Sequence, residues 1–141
     1  MNRQDYIAGD WVLSTSADYQ NRIVQIQDIS RNGTIHALDD GNEVILSKGE
    51  YEPVPMSEEW LWQWNLERDY HDIHHRRYIS PRKDFRHPSD VPFYISYYTR
   101  DHNFYVYTMS TLLLTIKYVH ELQHLLYAVN SKVQIEKPKK R

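Results

Sequence analysis

The sequence predicts an α+β protein: an N-terminal SH3-like small β-barrel, a short helix, a small antiparallel sheet and a C-terminal amphipathic helix. Three observations carry that expectation. The first third alternates apolar and polar residues in short runs separated by tight-turn dipeptides. A Ser57-Glu58-Glu59 start then introduces tryptophans at helical spacing. Finally, two aromatic runs joined by a polar turn lead into an apolar stripe of helical period. The expected division is a β module over 1–55 and an α+β module over 56–141, the second with a basic, histidine-rich insertion at 67–92.

Taken in order, "DWVLS" places Trp11 and Leu13 on one face and Val12 on the other, as a half-buried strand does. "RIVQIQDIS" continues with Ile23, Val24, Ile26 and Ile29. Asn32-Gly33 and Asp40-Gly41 are hairpin-turn pairs, and Val44-Ile45-Leu46 follows the second. Several short strands within the first 55 residues suggest a small barrel. Pro53 and Pro55 end the extended part. Ser57 can cap a helix, with Glu58 and Glu59 where the helix dipole favours negative charge. Trp60, Leu61, Trp64 and Leu66 form a stripe that suits packing against the fold more than a ligand. Residues 67–92 are polar, lack a clear period and read as a long loop or partly extended insertion. "PFYISYYTRDHNFYVYTM" reads as two strands joined near Arg100–Asn103, followed by a helix over Leu112–Val129. The end, "SKVQIEKPKKR", holds a short strand and a basic tail.

Composition removes several classes of function. The chain has 141 residues, 40% of them hydrophobic and 26% charged, enough apolar material for a core. Net charge is −2, so any contact with nucleic acid must come from a local patch. There is no cysteine, and hence no disulfide framework, thiolate metal site or cysteine nucleophile. Four glycines leave no phosphate-binding loop or dinucleotide fingerprint, and no cofactor is implied. The longest apolar run, Leu112-Leu113-Leu114, is too short for a bilayer, and the chain reads as cytosolic with no membrane partner. Twelve tyrosines and four tryptophans suit either a sheet-rich core or a binding surface.

Three clusters carry possible chemistry. His120-Glu121-Leu122-Gln123-His124 spells H-E-x-x-H, which on a helix can hold zinc with two histidines and set a glutamate beside the metal-bound water. A zinc hydrolase also needs a third ligand, and the extended pattern with Gly at 127 and His at 130 is broken by Tyr127 and Asn130. His120 and His124 also fit the polar face of a helix whose stripe is Ile116, Val119, Leu122, Leu126 and Val129. His71, His74 and His75 could bind a metal or belong to a solvated loop. Arg68, Arg76, Arg77, Arg82, Lys83 and Arg86, interleaved with Tyr70, Tyr78 and Phe85, can neutralise phosphates and stack on unpaired bases. Asp69, Asp72 and Asp84 dilute that patch. Arg68, Arg76, Arg77, Tyr78, Arg82, Lys83 and Arg86 are therefore the expected residues for binding a nucleic acid or another partner.

The order of segments adds a resemblance. "EPVPMSEEWLWQWNL" and "IKYVHELQHLLYAV" resemble a family of small uncharacterised proteins encoded by phages, prophages and mobile elements. The family pattern runs E-P-I-P-L-T-E-E-W-L and later I-K-Y-V-H-x-L-Q-x-L. The matching positions are Glu52, Pro53, Pro55, Glu58, Glu59, Trp60 and Leu61, then Ile116 to His120, Leu122, Gln123, Leu125 and Ala128. Such relatives carry Gln and Asn where this chain has Glu121 and His124, and residues 67–92 depart from the pattern. The resemblance implies no enzyme activity. It implies an accessory protein in the cytoplasm of a bacterial host that binds a host protein or nucleoprotein complex, including anti-defence inhibitors of the anti-CRISPR type. The alternative is an RNA- or single-stranded nucleic-acid-binding protein; a zinc hydrolase at His120, Glu121 and His124 ranks below both.

Overall fold

A computed structural model describes residues 6–66, 74–80, 93–108, 111–128 and 134–138. Two units divide the chain, Met1–Pro55 and Met56–Arg141. The class is α+β, with two antiparallel five-stranded sheets and one α-helix among the described residues.

The first unit contains β1 (Trp11–Ser14), β2 (Ile23–Ile29), β3 (Ile35–Asp39), β4 (Asn42–Leu46) and β5 (Tyr51–Pro53), in the spatial order β4-β3-β2-β1-β5. Alternation decides which face is inside. Val12, Val24, Ile26, Ile35, Ala37, Val44 and Leu46 are buried together. Each such fully buried Val, Leu or Ile side chain contributes roughly 1.5–3 kcal/mol by leaving water. The β3–β4 turn holds Asp40 at φ 50 and Gly41 at φ 91, the two positive values that a two-residue hairpin needs for its twist. Arg22 and Asp39 form an ion pair of 2.7 Å whose carboxylate end is almost fully buried. In the described pairings β4 and β5 are the two edges of an open sheet, and a closed barrel is not among them.

The second unit begins with a 3-10 helix, Glu58–Leu61, whose Trp60 and Leu61 are buried, as is Trp64 just beyond. Its sheet contains β6 (Asn65–Leu66), β7 (His75–Ile79), β8 (Phe93–Tyr98), β9 (Asn103–Thr108) and β10 (Thr111–Ile116), in the order β10-β9-β8-β7-β6. The single α-helix among the described residues is α1 (Val119–Ala128), with Val119, Leu122 and Leu126 buried.

Four sequence expectations change or narrow here. The helix expected from Leu112 begins at Val119, because Thr111–Ile116 pairs with β9 as a strand. Thr111, Thr115 and Ile116 are β-branched and favour that choice. Residues 75–79, expected within a long loop or partly extended insertion, take the extended form, as a regular strand between β6 and β8. Leu66 is exposed on β6 rather than part of a helical stripe. The C-terminal segment at 134–138 is not a strand. It is held by a side chain that imitates one: Gln63 donates to the Glu136 carbonyl at 2.7 Å and accepts from its N–H at 2.9 Å.

Candidate functional site

Strand alternation divides the basic stretch. On β7, Arg76 and Tyr78 point to one side of the sheet and Arg77 to the other. The side of Tyr78 is the buried one, shared with Phe93, Ile95, Phe104, Val106 and Ile116. Glu58 on the 3-10 helix reaches that side, accepting from Tyr78 Oη at 2.6 Å and from Arg76 at 3.1 Å. Burial, then the Glu58 hydrogen bond and charge, push the Tyr78 hydroxyl above the ordinary tyrosine value, against a smaller opposing effect of Arg76. Tyr78 and Arg76 are thus tied into a structural contact with Glu58. Arg77 lies on the outer side with its guanidinium 4.3 Å from the centre of the Tyr94 ring. Of the other expected binding residues, Arg68, Arg82, Lys83 and Arg86 lie outside the described residues, as does His71.

The outer side is a grid of aromatic rows. One row crosses four strands as Ile79, Tyr94, Tyr107 and Leu112. The next is Arg77, Ser96, Tyr105 and Thr115, and the third is His75, Tyr98 and Asn103. The ring contacts agree with that assignment. Tyr98 stacks on His75 at 4.2 Å and meets Tyr105 edge-on at 5.4 Å. Tyr94, Tyr98, Tyr105 and Tyr107 are half-buried, and Leu112 is 51% exposed. None of the chain's 19 Asp and Glu residues falls in β7, β8, β9 or β10, so no carboxylate on these strands opposes an anion.

The H-E-x-x-H segment is used differently. One Glu121 oxygen accepts from the N–H groups of Lys117 and Tyr118, both at 2.8 Å. A glutamate two positions into a helix that reaches back in this way caps its first turn. His120 is buried rather than on a polar face, with its ring 5.9 Å from Tyr118 and 5.4 Å from His124. Among the described residues no group of three His, Cys, Asp or Glu is placed to hold a metal ion. In the second histidine cluster, His74 accepts through its carbonyl from the Thr99 N–H at 3.0 Å, and His75 is buried against Tyr98.

Sequence reasoning found β8 and β9 but overlooked their tyrosines as a site. The signal was present: in "FYISYY" and "NFYVYT" aromatic residues occupy both parities, so both faces of the sheet must carry rings. No protein-family model matches the chain, and no curated protein or solved structure matches it. Among the described residues no helix is long and apolar enough to cross a membrane.

Proposed function

We propose that this chain is a non-enzymatic accessory protein of a phage or mobile element that binds a host macromolecule in the bacterial cytoplasm. An anti-defence role, of the kind that blocks a CRISPR effector, fits the resemblance carried by the 52–61 and 116–128 segments. The observation that carries the binding reading is the outer face of the second sheet. Tyrosines with an apolar ring and a polar tip suit a recognition surface better than a solvated one. In the same reading the first unit is an SH3-like module, a proposal supported by its five short antiparallel strands and by β5 returning to pair with β1.

The non-enzymatic reading is supported by Glu121, whose carboxylate serves the helix start, and by Glu58, which serves Tyr78 and Arg76. The test is expression of the tagged chain in a bacterium that carries an active CRISPR system. Phage plating should rise, and one host complex should be recovered in fixed ratio to the chain. Tyr107→Ala should abolish both effects. Unchanged plating together with no recovered complex overturns the reading.

A further inference from the structure

We propose that the outer face of the second sheet is a stacking platform for single-stranded nucleic acid, with Tyr94, Tyr105 and Tyr107 receiving bases and Arg77 facing the phosphate backbone. The inference rests on the binding reading above and names its partner.

The chemistry is set by three features of the face. The first is the ring arrangement. Tyr94 and Tyr107 are direct cross-strand neighbours, and Tyr105 is two residues from Tyr107 on the same strand. Same-face residues on one strand lie about 7 Å apart, whereas bases stacked along one strand of a duplex rise about 3.4 Å each. Two rings on one strand therefore cannot both stack on consecutive bases of an intact duplex. A strand whose bases are splayed apart meets no such restriction, and four-stranded sheets that present aromatic rings recognise unpaired nucleotides in this way.

The second feature is charge. A phosphate backbone is repelled by carboxylates in its path and held by cations beside it. Here no strand from β7 to β10 carries a carboxylate, in a chain that has 19 of them. Arg77 supplies positive charge from inside the face, beside the Tyr94 ring.

The third feature is support. Tyr98 is fixed between His75 and Tyr105, and its edge-on contact limits how the Tyr105 ring can turn. On the opposite side, Tyr97 stacks on Phe104 at 4.6 Å, and Tyr78 is anchored by Glu58. The platform is thus backed by a packed layer rather than by solvent. Ser96, the small residue in the middle row, is buried between Arg77 and Tyr105.

The experiment is fluorescence anisotropy on the full chain with labelled U20 RNA, dT20 DNA and a 20-base-pair duplex. Both single-stranded probes should bind, and the duplex should bind at least about 10-fold more weakly, as expected when stacking on unpaired bases carries the affinity. A U20 preference over dT20 would assign the ligand to RNA and the reverse to DNA; either result supports the platform. Tyr107→Ala and Tyr94→Ala should each weaken binding roughly 10-fold, the worth of one stacked base. Tyr107→Phe, which keeps the ring, should bind as the parent does. Arg77→Gln should reduce the slope of log K against log salt by about 0.7, one phosphate contact on a single strand. Arg31→Gln, at an exposed turn of the first unit, should change nothing.

Failure to bind either single strand, equal or tighter binding of duplex, or binding unaffected by all three substitutions overturns the platform. Capture of a nuclease-resistant host protein that is lost with Tyr107→Ala, with no oligonucleotide binding, also overturns it while leaving the binding function intact. A folded chain that captures no host partner and protects no phage, yet binds U20 in a Tyr107-dependent way, would instead sink the accessory-protein reading and keep the platform.

Discussion

In the first sheet, the positions that point away from the apolar interior include Asp28, His36, Glu43 and Glu52, all exposed. In the second they include Tyr94, Tyr98, Tyr105, Tyr107, Ile79 and Arg77, all half-buried, with His75 and Ser96 buried among them. Both sheets are antiparallel and five-stranded, and both bury one face. The outer face of the first carries these polar and charged groups beside Leu13, Ile23, Leu38 and the 61% exposed Ile45, so it is a mixed surface. Rings on the outer face of the second shield each other, yet leave a surface that gains from being covered. Their interiors differ as well. The first is aliphatic, whereas the second mixes Ile95, Val106 and Ile116 with Trp60, Trp64, Tyr78, Phe93 and Phe104. The two sheets therefore differ most in outward chemistry: mixed aliphatic and charged in the first, tyrosine-rich and without a carboxylate on β7 to β10 in the second.

The largest expected effects lie in the two interiors. Ile26 in the first sheet and Ile95 in the second are fully buried. Ile26→Ala and Ile95→Ala should each cost about 2–5 kcal/mol in urea unfolding. A loss well under that range at Ile95 would mean that the aromatic interior closes over the gap and that the two cores are not equally tight.

Next in size is the buried hydroxyl. Tyr78→Phe removes a hydrogen bond to a carboxylate and should cost about 1.5–3 kcal/mol. The pH dependence has a definite sign. The folded state holds Tyr78 above the ordinary value of 10.0, so its contribution is complete below pH 10 and falls as pH rises further, when the unfolded chain ionises first. Burial raises Tyr51 in the same direction. The stability gap between parent and Tyr78→Phe should therefore narrow in alkaline melts; a gap that widens contradicts the contact with Glu58.

Glu121→Ala should lower stability by about 1 kcal/mol through loss of the helix cap. Glu121→Gln should recover part of this, because an amide oxygen still accepts from Lys117 and Tyr118. Thermal melts followed by helical circular dichroism would separate the two. Smallest of all is Arg76→Ala. Its side chain is 44% exposed and its ion pair with Glu58 is worth about 0–1 kcal/mol. Oligonucleotide binding should be untouched, whereas Arg77→Gln weakens it. That contrast between adjacent arginines is the finest test of the two-faced sheet.

Much of this could be read directly from residue order. The alternation in 11–46 identifies the strands of the first sheet, because burial of one face demands period two. Asp40-Gly41 specifies a tight hairpin because few other pairs tolerate two positive φ values. Trp60, Leu61 and Trp64 are recognisable as core. The H-E-x-x-H segment lies on a helix as its stripe implies, but the role of Glu121 depends on where that helix begins. Composition could not settle this, since "TLLLTI" suits a helix turn or an edge strand equally until β9 offers it a partner.

What the sequence determined alone is the α+β class, the chemistry it lacks for want of cysteine and glycine, and the residue types that any site must use. Tertiary structure decided which of those residues share a surface. Arg76, Arg77 and Tyr78 are equivalent in a string, but a pleated strand sends neighbours to opposite faces, and the Glu58 helix then occupies one of them. Tyr94 is far from Arg77 in sequence and meets it across the sheet, and the same register sets Tyr105 and Tyr107 on that face, a long-range property that no local pattern encodes.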